Sequence, residues 1–331
     1  MTLPLRFGIQ LQPRQTNWHD YLEAVQLIEG LGFDTIWNFD HLLAPAGAPS
    51  DACLETWTTL AAMAASTSSI GVGSLVNGVL YRDPGTLAKS AATLDQISSG
   101  RLQFALGAAW AEREFHAFGL PFPPLAERLA RLEEALSVVI MLWTKPTATF
   151  GGQYYTLEDA LCQPGPLQRP YPKIMVGGMG RKTMRLVAQY ADCWNGIGTP
   201  DEIEGAVTTL RQTCGAVGRD FSSIELSLHS PQLVIAPTKE EAEERARTMA
   251  SELGITDQAE LERWIVGSPV EVIDRIQEYL ALGITHIIPG IGSPFDLAGL
   301  RLFAKKVMPA FRSLRVDHAS RTSRTRAMRL A

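Results

Sequence analysis

Short apolar runs alternate with longer amphipathic segments along most of the chain. The runs have strand length and are rich in β-branched and aromatic residues, whereas the longer segments repeat apolar positions with a helical period. The pattern predicts strands at 5–11, from 35 to the Asp40-His41 pair, at 70–76, 101–106, 173–176 and 192–195, within 224–236, and at 285–288. Predicted helices cover 17–31, 54–66, 127–143, 182–190, 238–253 and 297–308.

Three further helices are predicted from their start signals, which place a proline directly after a capping residue. They begin at Asp83-Pro84, Thr199-Pro200 and Ser268-Pro269, and the last two have a glutamate in the position of a capping box. Eight buried strands, each followed by a helix, predict a closed parallel (β/α)8 TIM barrel. Residues 144–172, rich in glycine and proline, are predicted to be an insertion that contains a short hairpin.

The composition is that of a globular protein, with 331 residues, of which 46% are hydrophobic and 20% are charged. We predict one barrel domain over 1–311 and a basic, disordered tail over 312–331, which holds six arginines and one aspartate. The formal net charge is −5, so the rest of the chain is more acidic than this value. That balance argues against nucleic acid or an anionic membrane surface as the main partner.

The cysteines and the first residues favour a cytoplasmic protein. The four cysteines lie far apart and form no Cys-x-x-Cys pair, so we expect reduced thiols. The chain does not start with a basic region followed by a long apolar stretch, and no apolar run approaches the length of a membrane span.

Candidate chemistry lies at the carboxyl ends of the predicted strands, where barrels bind their ligands. The polar or glycine-rich ends are Gln10, Asp40-His41, Asn77, 107–110, 177–181 and Trp194-Asn195. His41 could move protons near neutral pH with Asp40 orienting it, or the pair could only cap a loop and start a turn. The glycines at 177–181 could admit a phosphate to a helix N-terminus, or could serve turn geometry alone.

A series of motifs spans residues 5–196 and continues more weakly to 309. They include Trp37-Asn38-Phe39-Asp40-His41, Tyr81-Arg82-Asp83-Pro84, Gly100-Arg101-Leu102, Leu106-Gly107 with Trp110, Arg131-Leu132-Glu133-Glu134-Ala135-Leu136, Val176-Gly177-Gly178 and Tyr190-Ala191-Asp192. In this order they resemble the luciferase-like monooxygenase superfamily, especially its branch of F420-dependent oxidoreductases. The resemblance implies a barrel with an insertion, and hydride chemistry at a deazaflavin or flavin lying across the strand ends.

The resemblance also implies roles for individual residues. Asp40 and His41 would lie beside the reactive ring, with His41 as proton donor or acceptor. The residues implied at the cofactor are Leu75, Val76 and Asn77, which form a bulge with a cis peptide that is not prolyl; Gly107, Ala108, Ala109 and Trp110; Trp194; and, at its phosphate, Gly177, Gly178, Met179, Gly180 and Arg181. Three positions depart from the family pattern, since it usually has glycine at Ala109 and Cys193, and histidine or asparagine at Asp83.

Some candidates have a simpler interpretation. Trp110 and Trp194 could be core residues, although Trp110 also stands where a ring-stacking or gating role is plausible. For Glu112 and Glu114 we favour a solvated loop face over a supporting role at the site. The remaining histidines have no ligand spacing with cysteine or carboxylate, so we predict no metal site.

The leading hypothesis is an F420-dependent oxidoreductase acting on a small, fairly apolar organic substrate. The alternatives are an FMN-dependent monooxygenase that uses oxygen and reduced flavin from a separate reductase, and a flavin-binding protein without turnover. The family resemblance also allows a homodimer.

Overall fold

The computed structural model describes residues 2–46, 48, 50–311 and 315–317. Its strands are β1 (Thr2–Pro4), β2 (Arg6–Leu11), β3 (Thr35–Asn38), β4 (Gly71–Ser74), β5 (Asn77–Gly78), β6 (Leu102–Gly107), β7 (Ala148–Gly151), β8 (Thr156–Ala160), β9 (Ile174–Gly177), β10 (Cys193–Ile197), β11 (Glu225–Ser230), β12 (Leu233–Ile235), β13 (Ile265–Gly267), β14 (His286–Ile291) and β15 (Arg315–Asp317). Its helices are α1 (Trp18–Gly30), α2 (Thr56–Ser66), α3 (Pro84–Ile97), α4 (Glu112–Ala117), α5 (Leu125–Thr144), α6 (Arg181–Tyr190), α7 (Pro200–Val217), α8 (Lys239–Glu252), α9 (Gln258–Leu261), α10 (Pro269–Ala281) and α11 (Leu297–Lys306). Short 3-10 turns cover Phe221–Ser223 and Met308–Phe311.

Eight parallel strands of the described chain close into a barrel in the order β2, β3, β4, β6, β9, β10, β11 and β14. The ring closes where β14 pairs with β2, with Ile287 opposite Phe7, and it stays continuous where β4 pairs with β6. The predicted TIM barrel is therefore confirmed, and all eight predicted strands fall on barrel strands. Parallel strands bring their carboxyl ends to one face, so this face forms the mouth of the barrel.

The predicted helix starts are present as their capping chemistry requires. The Asp83 carboxylate accepts hydrogen bonds from the amides of Gly85, at 2.8 Å, and Thr86, at 3.3 Å. Thr199 and Ser268 each begin a helix with a complete capping box. These caps satisfy amides that a helix leaves without internal partners, which explains why the boundaries could be read from the sequence.

The insertion contains the predicted hairpin, formed by antiparallel pairing of β7 and β8. The Glu134 carboxylate on α5 accepts the backbone amides of Gln153, Tyr154 and Tyr155, which anchors the hairpin turn to the barrel wall. Several short elements were not predicted, including α4 and the β12–β13 pair. A short helix, α4, lies within the proline-rich loop after β6, and β12 pairs with β13 outside the barrel. Both involve very short segments, whose periodicity is too brief to read.

Residues 315–317, in the predicted tail, pair with β1. The remainder of 312–331 lies outside the described residues.

The inside of the barrel is filled by side chains. On β2, Phe7, Ile9 and Leu11 face the helices, and Gly8 faces inward, where an added Cβ would lie 3.2 Å from the Trp37 indole nitrogen. Gly73 leaves room for the same indole, since a Cβ there would come within 2.8 Å of the ring. The inner layer is completed by Leu75, Ala105, Met175, Cys193 and Ile288. These side chains fill that layer of the described barrel, and barrels of this kind bind their ligands at the mouth.

An ion-paired carboxylate closes the opposite end of the barrel. Glu225, at the start of β11, is buried, contacts the Arg6 guanidinium and lies 3.4 Å from the Lys173 ammonium. Burial favours protonation of the carboxyl, but the two cations outweigh it and hold the pKa of Glu225 below its ordinary value. The carboxylate is therefore ionised near neutral pH.

We expect Glu225→Gln to lower the free energy of unfolding by about 2 kcal/mol at neutral pH, because it leaves a largely buried guanidinium without its anion. Since the folded pKa is depressed, the contribution of Glu225 is present above the unfolded pKa of about 4.3 and is lost as pH falls through the folded value. Urea unfolding at neutral and acidic pH should therefore show a gap between variant and parent that narrows on acidification. The exposed Glu262→Gln should show no gap, and an equal loss in both variants would contradict the role of Glu225.

Candidate active site

The side chain of His41 is fixed by the carboxylate of Glu114. Imidazole Nδ1 donates to Glu114 Oε1 at 2.6 Å, and both residues are buried, with Glu114 only 2% exposed. His41 follows β3 at the barrel mouth, whereas Glu114 comes from α4, 73 residues away along the chain. The interpretation of Glu114 as a solvated loop residue is therefore wrong. Glu112, on the same helix, is exposed as expected.

Four donors occupy the Glu114 carboxylate. Oε1 also accepts the Tyr81 hydroxyl, and Oε2 accepts the backbone amides of Leu42, at 2.6 Å, and Leu43, at 3.1 Å. Burial favours its protonated form, but the hydrogen bonds and the charge of the imidazole prevail and lower the pKa of Glu114. Burial, and after it the contact with Glu114, raise the pKa of Tyr81, so its hydroxyl remains a donor. An ionised acceptor at Oε1 keeps the proton on His41 Nδ1.

The imidazole is also enclosed by two aromatic rings. Phe39 packs edge-on against the imidazole at a centroid distance of 5.1 Å. Trp110, in the loop after β6, packs edge-on at 5.3 Å. Trp110 is 66% exposed, so it is a rim residue rather than a core residue. Nε2 of His41 makes no hydrogen bond within the described chain, which leaves this nitrogen available to a ligand.

Asp40 does not orient His41. Its carboxylate accepts Arg82 Nη1 at 2.8 and 2.9 Å and the Gly78 amide at 3.0 Å. Burial raises the pKa of Asp40 against the opposing effect of Arg82. The hydrogen-bond partners of Asp40 are therefore Arg82 and Gly78, whereas those of the His41 imidazole come from Glu114. Asp40 instead ties β3 to the segment after β5, and its predicted catalytic role stays a prediction.

The bulge after β4 contains the cis peptide that the resemblance implied, between Leu75 and Val76. Gln10 Nε2 donates to the Leu75 carbonyl at 2.9 Å. Val76 packs against two glycines at neighbouring strand ends: an added Cβ at Gly107 would lie 2.6 Å from Val76 Cγ2, and one at Gly177 would lie 3.0 Å from Cγ1. Bare backbone at the two glycines therefore surrounds the bulge, which suits a flat ring.

Asn77 is engaged within the protein, since its amide nitrogen donates to the Ala105 carbonyl at 2.8 Å and its oxygen accepts the Trp57 indole at 2.9 Å. Ala108 is partly buried against the core. Ala109 adopts φ 59°, a left-handed conformation that explains why glycine is usual there. The Arg128 guanidinium donates to the Ala109 carbonyl, which holds the segment leading to Trp110.

The loop between β9 and α6 has the features of a phosphate site. Gly180 caps α6 without a side-chain hydrogen bond, and the first turn of the helix carries no acid. Gly178 has φ 130°, which only glycine adopts readily, and its carbonyl accepts the Trp194 indole at 2.8 Å. Trp194 is fully buried, and its hydrogen bond to Gly178 holds the loop against the barrel. Met179 packs on the core, whereas Arg181 is exposed beside the uncapped amides.

No metal centre is evident: the described ranges hold no group of three or more His, Cys, Asp or Glu side chains placed to bind a metal ion. Nor does any helix in those ranges have the length and apolar character needed to cross a membrane.

The barrel is closed, His41 is held by a hydrogen bond to Glu114, and Gly107 and Gly177 expose backbone at the strand ends. This is the architecture of a (β/α)8-barrel enzyme. The model of the luciferase-like monooxygenase family matches residues 1–264. Because this match covers most of the chain, the protein belongs to the luciferase-like monooxygenase family, as the sequence motifs predicted.

Individual relatives are consistent with that assignment. The chain is 28% identical to an F420-dependent glucose-6-phosphate dehydrogenase of Beutenbergia cavernae, over 93% of this chain and 98% of that one. Its fold is similar to that of an F420-dependent secondary alcohol dehydrogenase in complex with an F420-acetone adduct, with TM-score 0.82, 23% identity, and 94% and 100% of the two chains covered. It is also similar to the coenzyme F420-dependent tetrahydromethanopterin reductase of Methanopyrus kandleri, with TM-score 0.78, 21% identity, and 93% and 100% covered.

We expect Gly107→Ala to destabilise the fold by about 1–3 kcal/mol, because the new methyl must displace Val76. Adding Val76→Ala should recover part of this loss, so the two substitutions should be non-additive by about 1 kcal/mol in urea unfolding. Gly215→Ala is the matched control, since nothing lies within 4 Å of its added Cβ, and it should be neutral or stabilising. Additive effects at positions 76 and 107 would contradict the contact.

Proposed function

We propose that the protein is an F420-dependent oxidoreductase that transfers a hydride between the deazaflavin and a small organic substrate, with His41 as proton donor or acceptor. The observation that carries the proposal is the His41–Glu114 contact at the mouth of a barrel of this family. Relatives that align over nearly their whole length are named F420-dependent dehydrogenases, which supports the choice of cofactor.

The recess suits the cofactor at two places. Gly107, Gly177 and the bulge at Val76 offer a surface of backbone and methyl groups on which a ring could lie. The uncapped N-terminus of α6, with Arg181 beside it, offers free amides and positive charge to the phosphate. The bound deazaflavin would supply or accept the hydride at its ring.

His41 would handle the proton that accompanies the hydride. The ionised Glu114 keeps Nδ1 protonated, so Nε2 is the nitrogen that exchanges a proton with a substrate hydroxyl or carbonyl oxygen. In alcohol oxidation Nε2 takes the hydroxyl proton, and in carbonyl reduction it returns one. Glu114 stabilises the imidazolium that forms when Nε2 takes a proton. Phe39 and Trp110 limit the access of water to the imidazole.

The alternative cofactor, FMN, would make the protein a monooxygenase with a separate reductase. A protein named as a long-chain alkane monooxygenase shares the fold, with TM-score 0.75 and 16% identity, so the fold by itself does not separate the two cofactors. A flavin-binding protein without turnover is disfavoured by the hydrogen-bonded support of His41. The homodimer, the reductase partner and the cytoplasmic location stay predictions.

Equilibrium binding of the purified protein to F420 and to FMN, oxidised and reduced, tests the proposal through cofactor fluorescence. We expect F420 to bind more tightly than FMN by about tenfold or more, that is, by about 1.4 kcal/mol. If FMN bound more tightly than F420, or if neither cofactor bound, the proposal would be contradicted.

We expect His41→Ala to lower turnover by about a hundredfold or more and Glu114→Gln by about tenfold or more, because the first removes the proton carrier and the second its ionised partner. Neither should change the Kd for F420 by more than about twofold, since both act on the proton rather than on the ring. Glu112→Gln is the matched control on the same helix and should retain activity. Full turnover of His41→Ala would exclude the proton role.

A further inference from the structure

Alternation along β2 carries one more side chain to the mouth. Gly8 faces the barrel interior, whereas Phe7, Ile9 and Leu11 face the helices, so Gln10, Gln12 and Arg14 continue the inward series. The ladder persists beyond β2, since the Gln12 amide donates to the Ile291 carbonyl at 2.9 Å. Arg14 thus lies beyond the carboxyl end of β2, on the side of the barrel mouth.

Arg14 is buried, with 3% of its surface exposed, yet its hydrogen-bond partners are neutral. Nε donates to Gln12 Oε1 at 2.9 Å, and Nη1 donates to Gln15 Oε1 at 3.0 Å. Within the described ranges, Nη2 makes no hydrogen bond and no carboxylate oxygen lies within 4 Å of the guanidinium. A buried cation without an anion in contact is costly, and an anion bound from outside the protein would offset that cost.

Two nearby acidic groups do not serve as that anion. Asp51 Oδ2 accepts Gln15 Nε2 and the Ala48 amide, each at 2.8 Å, and the Asp51 charge acts on Arg14 only at longer range, without an ion-pair contact. Burial raises the pKa of the Cys53 thiol to about 12, so this group remains neutral. Among the described residues, therefore, no carboxylate contacts the Arg14 guanidinium directly.

The chain segment that carries Arg14 is linked through Cys53 to the segment that carries His41. The backbone of Arg14 bridges to Cys53, and the Cys53 thiol lies 3.7 Å from the His41 carbonyl. Opposite Arg14, an added Cβ at Gly292 would lie 3.1 Å from Nη2, so the absence of a side chain there keeps that nitrogen uncovered. A ligand group at Nη2 would share the mouth with His41.

We infer that Arg14 binds a carboxylate carried by the substrate, and so orients the reacting carbon toward His41 and the cofactor. One open guanidinium nitrogen suits a single carboxylate oxygen better than a phosphate dianion, which needs several donors. This inference deepens the proposed function and rests on it for the hydride step. The substrate class is then a small organic acid with an oxidisable hydroxyl or a reducible carbonyl group.

The test compares benzoate with benzamide, a neutral analogue of the same shape, by calorimetric binding to the protein at ionic strength held constant with sodium chloride. We expect benzoate to bind more tightly by about tenfold or more, and Arg14→Gln to abolish the difference. Arg14→Lys should retain part of it, because the charge remains. Arg247→Gln, which removes an exposed arginine on α8, should leave the preference intact.

Two further readouts separate ligand binding from a structural role. If the charge awaits a ligand, the unliganded Arg14→Gln protein should melt no lower than the parent, whereas loss of a structural arginine would lower the melting temperature. Inorganic phosphate should not compete with benzoate. Equal binding of benzoate and benzamide, no binding of either, or a benzoate preference that survives in Arg14→Gln would overturn the inference.

F420 binding, measured in parallel on the parent and on Arg14→Gln, distinguishes the two proposals. If the parent does not bind F420, the proposed function is contradicted, but a benzoate preference that depends on Arg14 would still stand. Normal F420 binding without a benzoate preference would overturn only the role of Arg14.

Discussion

The Glu114 carboxylate is the contact on which the mouth of the barrel depends. Its two oxygens collect the imidazole of His41, the hydroxyl of Tyr81 and two amides of the segment after β3. One buried anion thus joins three separate parts of the chain. Because every acceptor position is used, the anion stays ionised despite its burial, and the orientation of the histidine follows from that charge.

The filled interior imposes the second constraint. Trp37 occupies the space that Gly8 and Gly73 leave, so the barrel is a packed core and not a channel. Barrels of this kind bind their ligands at the strand ends, where Gly107 and Gly177 expose backbone around Val76. Glycine therefore serves two purposes in one barrel: inside it admits a large side chain, and at the mouth it permits close approach.

The charges at the two ends of the barrel are treated differently. Glu225 at the closed end is matched by Arg6 and Lys173, and its burial is balanced within the protein. Arg14 at the open end has only amide partners. A protein can leave a buried charge unmatched where a ligand completes it, which is why the contrast between these two sites points to substrate at the mouth.

By itself the sequence determined the barrel, its helix starts and the family. Strand periodicity and capping boxes depend on residues only a few positions apart, so both can be recognised in the sequence. The position of His41 at a strand end could be predicted for the same reason. The cis peptide between Leu75 and Val76 was accessible only through the resemblance of the motifs to the family.

Only the tertiary structure decided which groups meet. Asp40 is adjacent to His41 in sequence, but its carboxylate pairs with Arg82. The partner of His41 is instead Glu114, on a six-residue helix that has no clear periodic signal. Arg14 resembles an ordinary loop arginine until barrel closure buries it without an anion. Such contacts form between segments that are far apart in sequence and meet only when the barrel closes. The residues next to each partner in the sequence do not indicate which segments will meet.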